Sequence, residues 1–239
     1  MNIGFWQKRS TLAFGFLAPL ALAACASEAP VEPEDGTIDE GELAIPVMGE
    51  EVRIVAFGDS LFAGYNLAEE EGYPERLEAA LRGRGVNARV IDAGRSGDTS
   101  SAGLERLAFV LNGQEEKPDL LLLELGGNDL LRGIEPPETR ANFEAMLNIL
   151  REREIPVLIM GMRAPPNYGP EYQADFDALY GELAAEYDTA LIPFWLEDIY
   201  QDPSLFQRDR IHPTAEGIEA LVASTIDEVT AALPEDGEG

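Results

Sequence analysis

The sequence predicts a doubly wound α/β sandwich, with a five-stranded parallel sheet held between two helical layers. Two observations carry that expectation. Five apolar runs have the length of strands, and several are apolar on both faces, as buried parallel strands are. Between them lie longer stretches whose apolar residues recur at helical spacing. Strand and helix alternate without any internal sequence repeat, the pattern of a parallel sheet joined by crossover helices.

The first strand is Val52 to Phe57 (Val-Arg-Ile-Val-Ala-Phe), and Leu77 and Leu81 mark the helix after it. Ala88 to Ala93 is the second, followed by a helix striped with Leu104, Leu107 and Leu111. The third, Asp119 to Leu125, leads to a helix carrying Phe143, Met146, Leu147 and Leu150. Pro156 to Met162 is the fourth, with Phe176, Leu179 and Leu183 on the helix beyond. Ala190 to Phe194 is the fifth, and Ile218, Leu221, Thr225 and Val229 define the last helix. Pro137, Pro170 and Pro213 each stand where a first helical turn accepts proline.

Residues 51–233 form one folded domain on this reading, and the rest of the chain has a different character. Lys8 and Arg9 precede an apolar run from Leu12 to Ala24, interrupted by Pro19 and shorter than the roughly 20 residues of a membrane span. Residues 1–24 therefore read as an export signal. The sole cysteine, Cys25, closes that run in the context Leu22-Ala23-Ala24-Cys25, which resembles the lipobox of bacterial lipoproteins. By that resemblance the mature protein begins at Cys25 with several acyl chains, and more than one chain gives stable membrane attachment. The expected location is the periplasm, anchored to the outer membrane; cleavage to a soluble secreted protein is the alternative. Residues 25–50 are rich in Glu, Pro, Asp, Gly and Ala and read as a disordered tether, and 234–239 as an acidic tail. With 17 basic and 45 acidic residues, a net charge of -28 repels phosphate backbones, so no nucleic-acid partner is expected. A monomer is expected.

His212 is the one histidine, so any imidazole chemistry falls to it. A His-rich metal centre needs several imidazoles, whereas a serine nucleophile needs a single base, and no metal or other cofactor is expected. In an open α/β sheet, ligands bind beyond the carboxyl ends of the strands. Ser60 follows the first strand, Gly97 the second, and Gly126-Gly127-Asn128-Asp129 the third, while Asp209 to His212 precede the last helix. All four loops converge on one rim. Each is unremarkable alone: Gly-Asp-Ser is a common turn, Gly-Gly-Asn-Asp fits a strand-to-helix turn with Asn128 left-handed, and Asp209 fits a cap for the turn that Pro213 opens.

Taken together, Gly58-Asp59-Ser60-Leu61, Ser96-Gly97-Asp98-Thr99-Ser100, Gly126-Gly127-Asn128-Asp129 and Asp209-Arg210-Ile211-His212-Pro213 resemble, in order and spacing, the four blocks of the SGNH (GDSL-type) hydrolases. The likeness runs from about Arg53 to Leu233 and is nearest the thioesterase, lysophospholipase and arylesterase branch. It includes Glu124-Leu-Gly-Gly-Asn-Asp and Pro165-Pro-Asn-Tyr-Gly. A flavodoxin-like sheet and ester hydrolysis through an acyl-enzyme are what the resemblance implies. The substrate would be a small ester, a thioester or a lysophospholipid.

Ser60 is a weak acid and needs a base, which only His212 can be. Asp209, three residues earlier, can meet the ring nitrogen facing away from the serine. The resemblance supplies the oxyanion donors: the N–H groups of Ser60 and Gly97 and the side-chain amide of Asn128. Gly97 suits the role because no Cβ blocks approach. Asp59 and Asp129 are expected to hold the nucleophile turn and the Asn128 loop rigid. Leu130, Leu131, Pro165 and Tyr168 are expected to shape the acyl pocket, Leu130 favouring a shorter or aromatic group. Three other readings compete: a carbohydrate O-acetyl esterase, a two-metal phosphoesterase built on Asp59 and Asp129, and a non-catalytic lipid- or carbohydrate-binding lipoprotein.

Overall fold

The five apolar runs form β1 (Val52–Gly58), β2 (Ala88–Gly94), β3 (Leu120–Leu123), β4 (Val157–Met160) and β5 (Ala190–Ile192) in the computed structural model, which describes residues 47–234. All pairings are parallel, in the order β2-β1-β3-β4-β5. Every residue of β3 and β4 is buried, which explains why their sequences are continuously apolar rather than alternating. The third, fourth and fifth runs are longer than their strands, because the chain leaves the ladder at their ends to build loops.

Two layers of helices cover the sheet. On one face α1 (Tyr73–Gly83) packs against α7 (Ala215–Ala231). On the other, α2 (Ser100–Asn112), α4 (Pro136–Glu152) and α5 (Pro170–Tyr187) lie side by side. Two short helices, α3 (Gly127–Arg132) and α6 (Glu197–Tyr200), follow β3 and β5. The helical stripes read from the sequence are the buried faces: Leu77 and Leu81, Phe143 to Leu150, Phe176 to Leu183, and Ile218 to Val229. Thr225 belongs there because its hydroxyl bonds the buried Tyr73 hydroxyl at 2.7 Å, and Tyr73 in turn stacks on Phe62 with ring centroids 5.3 Å apart.

Pro136 and Pro170 open α4 and α5 as expected of first-turn prolines, with Pro137 beside the former. Pro213 does not enter its helix. Thr214 caps α7 by accepting the Gly217 N–H, so Pro213 falls before the cap and bridges Phe206 instead.

The chain leaves β1 toward β2 on one side and returns past β1 to β3 on the other. The crevice of this sheet therefore opens where the carboxyl ends of β1 and β3 meet. The expected export signal at 1–24, Cys25, the expected tether up to residue 46 and the tail from 235 lie outside the described residues. Among the described residues no helix is long and apolar enough to cross a membrane.

Candidate active site

The turn after β1 is set by crowding. A Cβ on Gly58 would lie 2.7 Å from Glu124 Oε2 and 2.8 Å from a Phe62 ring carbon, so only glycine lets the chain pass this close to the end of β3. Asp59, 2% exposed, then organises the turn: its Oδ1 accepts the Leu61 N–H at 3.0 Å and its Oδ2 accepts the Asn128 amide at 2.8 Å. Burial raises the Asp59 carboxyl, while the bonds from Leu61 and Asn128 pull it back. Beneath it, fully buried Glu124 accepts the Asp59 N–H at 3.2 Å. Burial first, then the charge of Asp59, pushes Glu124 well above the ordinary carboxylate range, so Glu124 is the member of the pair that holds a proton.

Arg106 of α2 ties two strand ends together. Its guanidinium donates to the Gly58 and Ala93 carbonyls, both at 2.8 Å, lies 4.0 Å above the Phe57 ring, and pairs with Asp98. Gly97 sits beside that pair in a left-handed turn at φ +87°. Its nearest potential Cβ neighbour is an Arg132 guanidinium nitrogen at 3.7 Å, so as far as the protein's own atoms go glycine is required there by conformation and not by lack of space. Arg132 donates to the Gly97 carbonyl at 2.7 Å. Among the described residues, neither the Ser60 N–H nor the Gly97 N–H donates to another group.

The left-handed residue after β3 is Gly126 at φ +104°, not Asn128, which lies inside α3. One amide hydrogen of Asn128 goes to Asp59, leaving the second free. Asp129 anchors the helix that carries Asn128 to its neighbours. It accepts the Ser100 N–H at 2.7 Å and the Thr139 hydroxyl at 3.0 Å, joining α3 to α2 and α4.

The fourth loop brings the base. Arg210, at φ +62°, reverses the chain between Asp209 and His212. Asp209 Oδ1 accepts the N–H groups of Ile211 at 3.0 Å and His212 at 3.1 Å, while Oδ2 meets His212 Nδ1 at 2.8 Å. His212 Nε2 lies 2.8 Å from Ser60 Oγ. A proton on Nδ1, donated to the carboxylate, leaves Nε2 free to accept from the serine hydroxyl. Slight burial raises Asp209, but the bonds from the His212 ring and the two backbone N–H groups outweigh it, and the carboxyl lies below its ordinary range.

These groups open into a cavity of about 260 Å³ lined by Ser60, Asn128 and His212 together with Leu130, Leu131 and Pro165. Met162, Phe194, Tyr200 and Phe206 are among the other apolar residues of its wall. Gly97 stands outside that lining. Tyr168 does too, against expectation: its hydroxyl donates to the Leu130 carbonyl at 2.8 Å, so it braces the wall from behind. The sequence reading missed Arg106, Tyr65 and Gln207 as parts of this site, and quoted Glu124 only within the family-like block that leads to Asn128. Glu124 alone had a signal, an acidic residue inside an otherwise apolar strand end.

The profile of the GDSL-like Lipase/Acylhydrolase family matches residues 56–220. The esterase TesA of Pseudomonas aeruginosa is 42% identical over 160 residues, covering 67% of this chain and 79% of that protein. An arylesterase of Vibrio mimicus is 38% identical over 164 residues, covering 69% and 81%. Among solved structures, AlinE4, an SGNH-hydrolase family esterase, superposes with a TM-score of 0.67 at 56% identity, covering 79% of this chain and all of that one (100%).

Proposed function

The chain belongs to the GDSL-like lipase/acylhydrolase family, and from that membership we infer that it is a serine hydrolase of carboxylic esters whose preferred substrates are aryl and short-chain acyl esters. The single observation that carries the reading is the unbroken relay from Asp209 through His212 to Ser60, with both contacts at 2.8 Å.

His212 Nε2 takes the Ser60 proton as Oγ attacks the ester carbonyl carbon, and Asp209 stabilises the imidazolium that results. The carbonyl oxygen, now carrying the charge, is held by the N–H groups of Ser60 and Gly97 and the free amide hydrogen of Asn128. Collapse of the tetrahedral intermediate breaks the ester bond, and the imidazolium gives its proton to the departing alcohol. Water, deprotonated by His212, then attacks the acyl-serine by the same route and releases the acid. A cavity of about 260 Å³ with a mostly apolar wall suits a small acyl or aryl group. Leu130, Leu131 and Pro165 supply apolar contact on one side of the scissile bond.

A p-nitrophenyl ester series from acetate to palmitate, run on the full chain, tests this reading. We expect kcat/KM to peak at short acyl groups, and Ser60→Ala or His212→Ala to lower turnover by on the order of 10⁴ to 10⁶. A fluorophosphonate should label Ser60. A maximum at palmitate rejects the substrate assignment, and wild-type turnover in either variant rejects the relay. Export and lipid attachment at Cys25 complete the proposal, on the strength of the lipobox-like sequence and its apolar leader; palmitate incorporation lost in Cys25→Ala checks it.

A further inference from the structure

Resting on the serine-hydrolase reading, we propose that Tyr65 and Gln207 are positioning residues for His212: together they clip the base loop onto the loop that follows the nucleophile, and the Tyr65 ring favours the charged imidazole. The Tyr65 N–H donates to the Ser60 carbonyl at 3.2 Å, so Tyr65 is built onto the nucleophile turn itself. Its ring lies against His212 with centroids 4.3 Å apart and planes inclined by 32°.

Gln207 reaches across from the other side. Its N–H donates to the His212 carbonyl at 2.7 Å. Its side-chain amide donates to the carbonyls of Tyr65 at 2.7 Å and Pro213 at 2.9 Å, and its Oε1 accepts from Asn66 at 3.3 Å. One side chain thus grips both loops. Among the described residues, the only side-chain hydrogen bonds between the two loops are these and the Ser60–His212 contact. A base carried on an exposed turn keeps its angle to the nucleophile only if something outside the relay holds it.

The ring has an electrostatic part to play as well. Among the described residues, the charged groups that face the imidazole or share its cavity are Asp209 behind Nδ1, Asp59 under the nucleophile turn, and Arg163 and Arg210 in the cavity wall. The two carboxylates attract a positive charge on the ring, and the two arginines repel it. An aromatic face attracts a cation and has little such effect on a neutral ring, so Tyr65 acts in the same sense as the carboxylates. Tyr65 is 43% exposed, which puts the effect at the weak end of such contacts.

The test uses full-length Tyr65→Leu, Tyr65→Phe and Gln207→Leu, with kcat and KM measured from acid to alkaline pH on a short p-nitrophenyl ester. Loss of a group that favours the protonated ring keeps it neutral at lower pH. Tyr65→Leu should therefore move the acid limb of kcat/KM down by about half a pH unit, while Tyr65→Phe leaves the limb in place. Gln207→Leu should lower kcat by about 10- to 100-fold with KM within about twofold. Tyr65→Met replaces Tyr65→Leu if the latter does not melt cooperatively. An unmoved limb overturns the role of the ring, and wild-type kcat in Gln207→Leu overturns the clip. Fluorophosphonate labelling separates the two levels: no label on wild-type Ser60 defeats the hydrolase reading itself, whereas a labelled enzyme with unaffected variants defeats only this inference.

Discussion

Asp209→Asn separates what the carboxylate does for the base from what it does for the loop. In the native turn one oxygen of Asp209 holds the Ile211 and His212 N–H groups and the other meets His212 Nδ1. Asparagine keeps an oxygen for the backbone and places an NH2 opposite Nδ1. A donor facing Nδ1 leaves that nitrogen without its proton, which moves to Nε2, the atom 2.8 Å from Ser60 Oγ. A protonated Nε2 cannot take the serine's proton. The loss in kcat should be on the order of 10⁴, equivalent to about 5.5 kcal/mol. The structural change is one charge-assisted hydrogen bond exchanged for a neutral one at a side chain 36% exposed, about 1 kcal/mol or less. Because the two differ several-fold, steady-state kinetics on p-nitrophenyl butyrate paired with a thermal melt distinguishes them. A variant that keeps more than about a tenth of wild-type kcat, or one inactive only because it has melted, refutes the tautomer argument. The pH sign agrees: Asp209 is depressed in the folded state, so its contribution is full above the unfolded value of 3.8 and is lost only as pH falls through the lower folded one. A loss of activity on mild acidification therefore belongs to the imidazole.

Asn128→Ala should lower kcat by about 10² to 10³ with little change in KM, and Asp59→Ala should add less to it than it removes alone, since Asp59 aims that amide; a change confined to KM reassigns Asn128 to substrate binding. Gly58→Ala should destabilise by about 1–3 kcal/mol through overpacking, and Gly97→Ala by about 1–2 kcal/mol through its left-handed backbone alone, both read by urea unfolding. Gly97→Ala should gain nothing from trimming Arg132, and recovery on trimming would show that space matters after all. Glu124 is raised in the folded state, so the wild type should lose stability as pH rises above the unfolded value of 4.5 and through the folded one, a slope that Glu124→Gln makes shallower; parallel stability curves for the two proteins contradict the assignment of the proton to Glu124.

The sheet was legible because burial on both faces writes itself into β3 and β4 as unbroken apolar runs, and the helices because their buried stripes repeat at a fixed period. Ser60, Asp209 and His212 were legible for a different reason: the pair Asp209 and His212 is local in sequence, and a single histidine leaves no competitor. What escaped were contacts to backbone carbonyls. Arg106 to Gly58, Arg132 to Gly97, Gln207 to Tyr65 and Tyr168 to Leu130 each end on a carbonyl, a group every residue carries, so nothing at the acceptor position marks the pairing. Pro213 was misplaced because a proline just before a cap and a proline in the first turn look alike without the Thr214 bond that decides between them.

The two halves of the relay are held by different physics, and that division has a consequence. Ser60 and Asn128 rest on groups that are out of water: Asp59, Glu124 and Asp129 are 2% exposed or less, and Arg106 binds both strand ends. Asp209 and His212 ride on a segment in which residues 208–211 are exposed, secured by Gln207 and by the bonds within the turn. Openings of lowest free energy come from regions with few buried contacts and solvent-exposed hydrogen bonds. The base loop is therefore the part of this site that opens first, well before the nucleophile turn. Heating or denaturant short of global unfolding should then remove the base while leaving the oxyanion donors in place, and amide exchange at Ile211 and His212 should outpace exchange at Ser100, whose N–H is buried against Asp129. Equal protection at those amides would mean that the two halves open as one unit, and that the clip across Gln207 is as strong as the buried carboxylates.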